Sequence, residues 1–198
     1  MARIILASTS PTRIALLSAA GVDFEAMPPG VDEREVETPL LAAGKSPAEI
    51  ALALAVAKAQ ALAGKFPEAC VIGADQTLDC DGRRWTKPAT LTEACEQLMA
   101  LAGRTHQLHS AVAGARRGAV IWRHLDSARL TMRRLSPAFI ADYLEKVGDA
   151  ALTSVGGYQL EGRGIQLFER IEGDHFTILG LPLLAVLKWL REEGAIAS

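Results

Sequence analysis

The chain opens with a short, largely apolar run at 3–7 that gives way abruptly to Ser8-Thr9-Ser10-Pro11. A run of that length bounded by turn residues predicts a buried strand. The Ser-Pro pair predicts a helix capped by Ser10, with Pro11 in its first position and Gly21 just past its end. Residues 22–27 predict a second strand, and 28–45, rich in Pro, Gly and acid, predict a loop. Ser46-Pro47-Ala48-Glu49 has capping-box spacing and opens a helix running to Ala63, with Gly64 as its stop. A buried strand is predicted from Cys70 to Ala74, ending at Asp75, then a hairpin over 78–85 turning at Asp81-Gly82. Thr90-Leu91-Thr92-Glu93 repeats the capping-box pattern, and its helix ends at Gly103. Two long strands, 104–114 and 119–133, flank Arg116-Arg117-Gly118, and Ser136-Pro137 starts a helix stopped near Gly148. The glycines at 156, 157, 162 and 164 bracket a loop or short strand, 165–171 predict a strand, and 182–193 predict an amphipathic helix closed by Gly194.

Strands and helices therefore mix along the whole length, the pattern of an α/β or mixed α+β domain with a sizeable sheet. No repeat, low-complexity tract or Pro/Ser linker interrupts it, and 198 residues fit one domain spanning 1–198. With 49% hydrophobic residues a continuous core is available, which excludes a disordered chain. A net charge of −2 gives no field to draw the chain onto nucleic acid or an anionic membrane. No apolar run approaches the roughly 20 residues of a membrane span. The start is too brief for a signal peptide, and three cysteines without a CxxC pair suit reduced thiols. The expectation is a soluble cytoplasmic protein with neither a membrane nor a nucleic-acid partner.

Several positions could carry chemistry. Ser8, Ser10 and Arg13 lie where a strand meets a helix N-terminus, so hydroxyls, backbone N–H groups and a guanidinium could converge on a phosphate. An ordinary helix cap with a solvated Arg has the same spacing. Between Ala51 and Ala63 the helix is Ala, Leu and Val apart from Lys58 and Gln60. So apolar a helix is packed on most sides, and Lys58 either snorkels outward or points into an internal cleft. Asp75, at the expected end of a buried strand, could face a ligand cleft or cap a turn. Lys87, before Pro88, is a cation on a stiffened loop, and Asp32-Glu33 could ligate a metal or simply meet water. His106 and His109 fall three apart on a strand, face opposite sides and read as structural. The glycines of 156–164 fit neither a P-loop nor a dinucleotide fingerprint.

Taken in order, these segments resemble the Maf family of nucleotide pyrophosphatases. The landmarks are Leu6-Ala7-Ser8-Thr9-Ser10-Pro11 with Arg13, Val31-Asp32-Glu33, Lys58-Ala59, Gly73-Ala74-Asp75 and Lys87-Pro88. Gly103-Arg104-Thr105-His106, Glu161-Gly162-Arg163-Gly164-Ile165 and Gly180-Leu181-Pro182-Leu183 continue the set. The resemblance implies an elongated twisted mixed sheet flanked by helices, like that of inosine triphosphate pyrophosphatase, with two lobes around a deep cleft, and a homodimer. It implies Mg²⁺- or Mn²⁺-dependent hydrolysis of a nucleoside triphosphate between the α and β phosphates. Ser8, Arg13, Glu33, Lys58, Asp75 and Lys87 would line the cleft, Ser10 would add its N–H environment, and Asp75 would accept a proton. Asp75 and Glu33 would hold the metal.

Three positions, Thr12, Gln76 and Glu161, stand where the commonest family pattern has Arg, Thr and Gln. Gln76 and Glu161 resemble the branch acting on 7-methyl-GTP rather than the one acting on dTTP and UTP; Thr12 matches neither. A carboxylate at 161 can accept both N1–H and N2–H of a guanine, whereas pyrimidines of the other branch present one donor between two carbonyls. Glu161 could instead pair with Arg163. His109-Ser110 also departs from a frequent Tyr-Thr. The alternatives are a dTTP/UTP pyrophosphatase and a non-catalytic regulator of septum formation.

Overall fold

In a computed structural model, which describes residues 2–197, the chain forms seven strands and seven α-helices. In chain order these are β1 (Ile4–Ala7), α1 (Pro11–Ala19), β2 (Glu25–Ala26), α2 (Glu33–Ala42), α3 (Pro47–Ala63), β3 (Cys70–Cys80) and β4 (Arg83–Trp85). α4 (Leu91–Leu101), β5 (Thr105–Arg116), β6 (Ala119–Met132), α5 (Pro137–Val147), β7 (Phe168–Glu172), α6 (His175–Ile178) and α7 (Leu183–Glu192) follow. The strand order is β2-β1-β3-β5-β6-β7, with β4 also on β3. β1 runs parallel to β2 and β3, while β4 and β7 run antiparallel to β3 and β6, so the sheet is mixed.

The chain divides into two compact units. The first holds Met1–Gln76, His109–Asp126 and Asp174–Ser198; the second holds Thr77–Leu108 and Ser127–Gly173. In the first unit the two-residue period of the strands sorts side chains onto opposite faces. Ile5, Ala7, Val71, Ala111, Ala113 and Ala115 pack with Ala51, Ala55, Ala59 and Leu62 of α3. Ile4, Leu6, Ile72, Ala74 and Val112 pack with Leu17 of α1 and with Leu183, Val186, Trp189 and Leu190 of α7. In the second unit α4 packs on α5 and on the turns around 148–157. Leu78, Leu98, Leu101, Leu130, Met132 and Ile140 are fully buried there.

The caps expected from sequence form. Ser10, Ser46, Thr90 and Ser136 each accept from the backbone N–H three residues on, and Ser46 with Glu49 makes a complete capping box. At α4 the Glu93 carboxylate takes the N–H of Ala89 rather than that of Thr90. Asp81-Gly82 and Arg117-Gly118 turn with positive φ at both residues, the geometry of a tight two-residue hairpin loop.

Three expectations fail. The stretch 28–45 contains α2: Asp32 caps it, accepting from Arg34 N, and Glu33 and Glu35 meet the positive end of its dipole. It contains Pro39 and only a short apolar set, Val36, Leu40 and Leu41, none of it fully buried, so the stretch reads as loop. β3 does not end at Asp75 but continues to Cys80, placing Asp75 in mid-strand. Residues 165–167, expected to open a strand, lie in a short 3-10 turn, so β7 begins only at Phe168, while the glycine-bracketed stretch 156–164 takes the loop alternative.

Candidate active site

β1 ends at Ala7, paired with Gly73 of β3. Beyond that point β1 turns away into α1, and β3 runs on without it. Asp75 lies two residues past the last β1–β3 pair. Alternation along β3 puts Val71, Gly73 and Asp75 on the α3 face and Ile72, Ala74 and Gln76 on the other.

On the α3 face, Gly73 lets the helix approach closely. A Cβ there would stand 2.2 Å from Ala55 O and 2.5 Å from Ala59 N. One residue before Ala59, Lys58 turns inward, 7% exposed, and its Nζ lies 2.6 Å from Asp75 Oδ1 and 2.6 Å from Glu33 Oε1. Asp75 is equally buried at 7%, whereas Glu33, at the first position of α2, keeps half its side chain exposed. The snorkelling alternative for Lys58 is thereby excluded: it is an internal ammonium bridging two carboxylates.

Arg13 completes the cluster from the first turn of α1. Its Nε donates to Gly180 O at 2.8 Å and its Nη1 to Ala74 O at 2.9 Å, with Ser8 Oγ 3.5 Å from Nη1. Ser8 is buried and accepts from Ser10 N, while Ser10 caps α1. A guanidinium has five N–H donors, more than these three acceptors use, so it is fixed in place with donors to spare. Burial pulls the Arg13 pKa below its ordinary value, against the opposing pull of Asp75 and Glu33. Burial also pushes Asp75 above the usual carboxylate range, although Lys58 and Arg13 pull it down. A carboxylate shifted that way is a better proton acceptor near neutral pH than an exposed one.

Gln76, on the opposite face, donates from Nε2 to Ser110 Oγ, Thr177 O and Ile178 O at 2.9, 3.1 and 3.0 Å. Thr12 is half-buried at the second position of α1. The first unit thus gathers Ser8, Ser10, Arg13, Glu33, Lys58 and Asp75. Lys87 and Glu161 belong to the second unit, Lys87 on the exposed stretch after β4 and Glu161 in an exposed turn before Gly162. The Gly162–Gly164 turn is tight, because a Cβ at Gly164 would lie 2.3 Å from Gln159 O. His106 is buried, with Nε2 2.7 Å from Tyr158 Oη, which bears out its structural reading.

Among the described residues no group of three or more His, Cys, Asp or Glu side chains converges as a metal cage. The available donor set is the Glu33–Asp75 pair, already disposed around one cation. Two carboxylates fit Mg²⁺ or Mn²⁺, hard ions that usually take one or two carboxylates and complete their shell with phosphate oxygens and water. Sequence reasoning did not find Ser110, Thr177 and Gly180 as supports of the cluster. The Gly180-Leu181-Pro182-Leu183 landmark and the His109-Ser110 departure were the signals there, and neither carried a role.

A mixed α/β sheet thus carries a buried Lys–Asp pair together with an Arg anchored from a helix N-terminus. The family model described as "Maf-like protein" matches residues 3–193, and the chain belongs to that family. A 7-methyl-GTP pyrophosphatase of Rhizobium meliloti is 58% identical over 193 residues, covering 98% of this chain and 97% of its own. One of the same name from Brucella abortus is 50% identical, with 98% of each chain covered. A nucleoside triphosphate pyrophosphatase of Nitrobacter winogradskyi is 53% identical over 98% of this chain and 95% of its own. Among solved structures, a HAM1 protein from Coxiella burnetii covers 68% of this chain and 75% of its own at 20% identity, with a TM-score of 0.44. No helix among the described residues is long and apolar enough to cross a membrane.

Proposed function

We propose that this chain is a nucleoside triphosphate pyrophosphatase, releasing a nucleoside monophosphate and pyrophosphate, with 7-methyl-GTP as its substrate. The observation that carries the reading is the Lys58 ammonium held at 2.6 Å by both Asp75 and Glu33, with the half-buried Arg13 anchored nearby. Relatives named 7-methyl-GTP pyrophosphatase at 50–58% identity over nearly the full chain support the reaction and the base.

Water attacks the α phosphorus, its proton passes to Asp75, and the bond to the β-phosphate oxygen breaks. Negative charge then grows on the departing pyrophosphate. Lys58 and Arg13 would neutralise it, with the N–H groups at the start of α1 around Ser10 adding to the effect. Lys87 is a further cation that the family resemblance assigns to the same charge. Glu33 and Asp75 are the residues that would hold Mg²⁺ or Mn²⁺, which would acidify a water and screen the phosphates. Glu161 reads the guanine edge by accepting from N1–H and N2–H, a contact that the cationic N7-methylated base strengthens.

A panel of nucleoside triphosphates assayed for pyrophosphate release, each with Mg²⁺ and with Mn²⁺, tests the reading. 7-methyl-GTP should be turned over fastest, and Asp75→Asn should abolish turnover while melting as the wild type does. Preference for dTTP or UTP would overturn the base assignment, and activity retained in Asp75→Asn would overturn the mechanism.

A further inference from the structure

The segment 174–180 is tied to the sheet more firmly than its length explains. α6 has four residues, yet β3, β5 and β6 each direct a polar side chain to it. Gln76 of β3 donates to Thr177 O and Ile178 O, and also to Ser110 Oγ. Ser110 of β5 donates to Thr177 O at 2.6 Å, and Asp126 of β6 accepts from Thr177 Oγ1 at 2.8 Å. Ser110 and Thr177 are both 0% exposed. Carbonyl oxygens only accept, so the Gln76 nitrogen must face them and its amide orientation is fixed.

The same segment ends at Gly180, which adopts φ +90°. Its N–H returns to Thr177 O at 3.0 Å, and its carbonyl accepts Arg13 Nε at 2.8 Å. A Cβ at Gly180 would stand 3.6 Å from Arg13 Nε and 3.6 Å from Gln76 Cδ, so this residue lies against both side chains. Thr177 O is thus the shared acceptor of Ser110, Gln76 and Gly180, one short backbone step from the carbonyl that holds the guanidinium.

We propose that Ser110 is a positioning residue: through Thr177 O and the Gln76 amide it fixes the Gly180 carbonyl, and through that carbonyl the Arg13 guanidinium. The proposal rests on the reading of Arg13 as a phosphate-binding group. Ser110 does not touch a ligand in this account. Deleting its hydroxyl leaves Thr177 O with two donors and Gln76 with two acceptors, so the fold persists while the carbonyl is less well placed.

The test is a double-mutant cycle on the full chain, measuring kcat and KM for pyrophosphate release from 7-methyl-GTP. Loss of one buried hydrogen bond is worth about three- to tenfold. Ser110→Ala should lower kcat/KM by about that factor, mainly through KM, and Ser110→Thr, which keeps a hydroxyl, should restore it. In an Arg13→Ala background Ser110→Ala should change kcat/KM by less than about twofold, because coupled residues are not additive. Thr177→Val, which removes the hydroxyl's bonds to Asp126 and Asp174 but leaves the Thr177 carbonyl, should show the same dependence on Arg13 and serves if Ser110→Ala does not fold. The same loss in both backgrounds, or wild-type kinetics for Ser110→Ala, would overturn the proposal while leaving the pyrophosphatase reading intact. An Arg13→Ala variant with wild-type KM would instead remove the reading of Arg13, and the proposal with it.

Discussion

Gly73→Ala is the sharpest test of how packing sets the chemistry. The added Cβ would meet Ala55 O at 2.2 Å, Ala59 N at 2.5 Å and Ala59 Cβ at 2.9 Å. None of these atoms can rotate aside, since two are backbone and the third is fixed to it. Ordinary carbon contacts lie at about 3.5 Å, so α3 must withdraw from β3 by roughly 1 Å. Lys58, adjacent to Ala59 on that helix, moves with it, and its 2.6 Å bond to Asp75 lengthens past the range of a good hydrogen bond. Overpacking of this kind costs about 1–3 kcal/mol, which for a chain of this size lowers Tm by roughly 2–4 °C per kcal/mol. A misplacement of about 1 Å at reacting groups can cost on the order of 100-fold in rate. Calorimetry should therefore show a folded, less stable protein. Pyrophosphate release, measured well below the new Tm, should fall far more than the residual folded fraction explains. Wild-type kcat/KM in a folded Gly73→Ala variant would refute the claim that this close approach positions Lys58.

Two further outcomes are expected. Burial depresses the His106 pKa from 6.5 to about 4, so the folded state keeps the ring neutral where the unfolded chain takes up a proton. The stabilisation is therefore present above pH 6.5 and lost as pH falls toward 4, about 3 kcal/mol in all; urea titrations at pH 7.5 and 4.5 should show a steep drop for wild type and a shallower one for His106→Gln, and equal slopes would exclude His106 as the source. Glu161→Gln should shift the kcat/KM ratio of 7-methyl-GTP to UTP toward UTP by about tenfold or more, the worth of a hydrogen bond to a charged group, and an unchanged ratio would remove Glu161 from base recognition.

Most of the fold was legible because its signals are local. The Ser-Pro caps, the capping box at Ser46 and the hairpins at Asp81-Gly82 and Arg117-Gly118 depend on a few neighbouring residues, and the structure forms each of them. α2 was not legible, because its few apolar residues, Val36, Leu40 and Leu41, are interrupted by Pro39 and set in an acidic stretch. The length of β3 was hidden for a related reason. Asp75, Gln76 and Thr77 interrupt the apolar run, yet these polar residues continue the strand, with Asp75 and Gln76 paired to partners on opposite faces. A polar side chain ends a strand only when nothing in the fold satisfies it.

The site shows the same division between local and tertiary information. The sequence identified Lys58 as anomalous on an otherwise apolar helix, but could not say whether it turned inward, because its partners are 17 residues ahead on β3 and 25 behind on α2. An inward Lys would ordinarily be prohibitive. Here each of its carboxylates offsets part of the desolvation, and Arg13 balances the second negative charge, so the set of Arg13, Lys58, Glu33 and Asp75 carries no net charge. That balance explains how so many ionisable groups persist among Ala, Val and Leu side chains. It also means the cluster is not a standing positive well for anions. On the proposed reading a polyphosphate would compete for Lys58 with its two carboxylates, and they are unequal competitors: Asp75 lies on a largely buried strand, whereas Glu33 sits half-exposed on a helix with no fully buried residue. The residue whose helix was least legible in the sequence is therefore the one whose bond to Lys58 is least costly to give up.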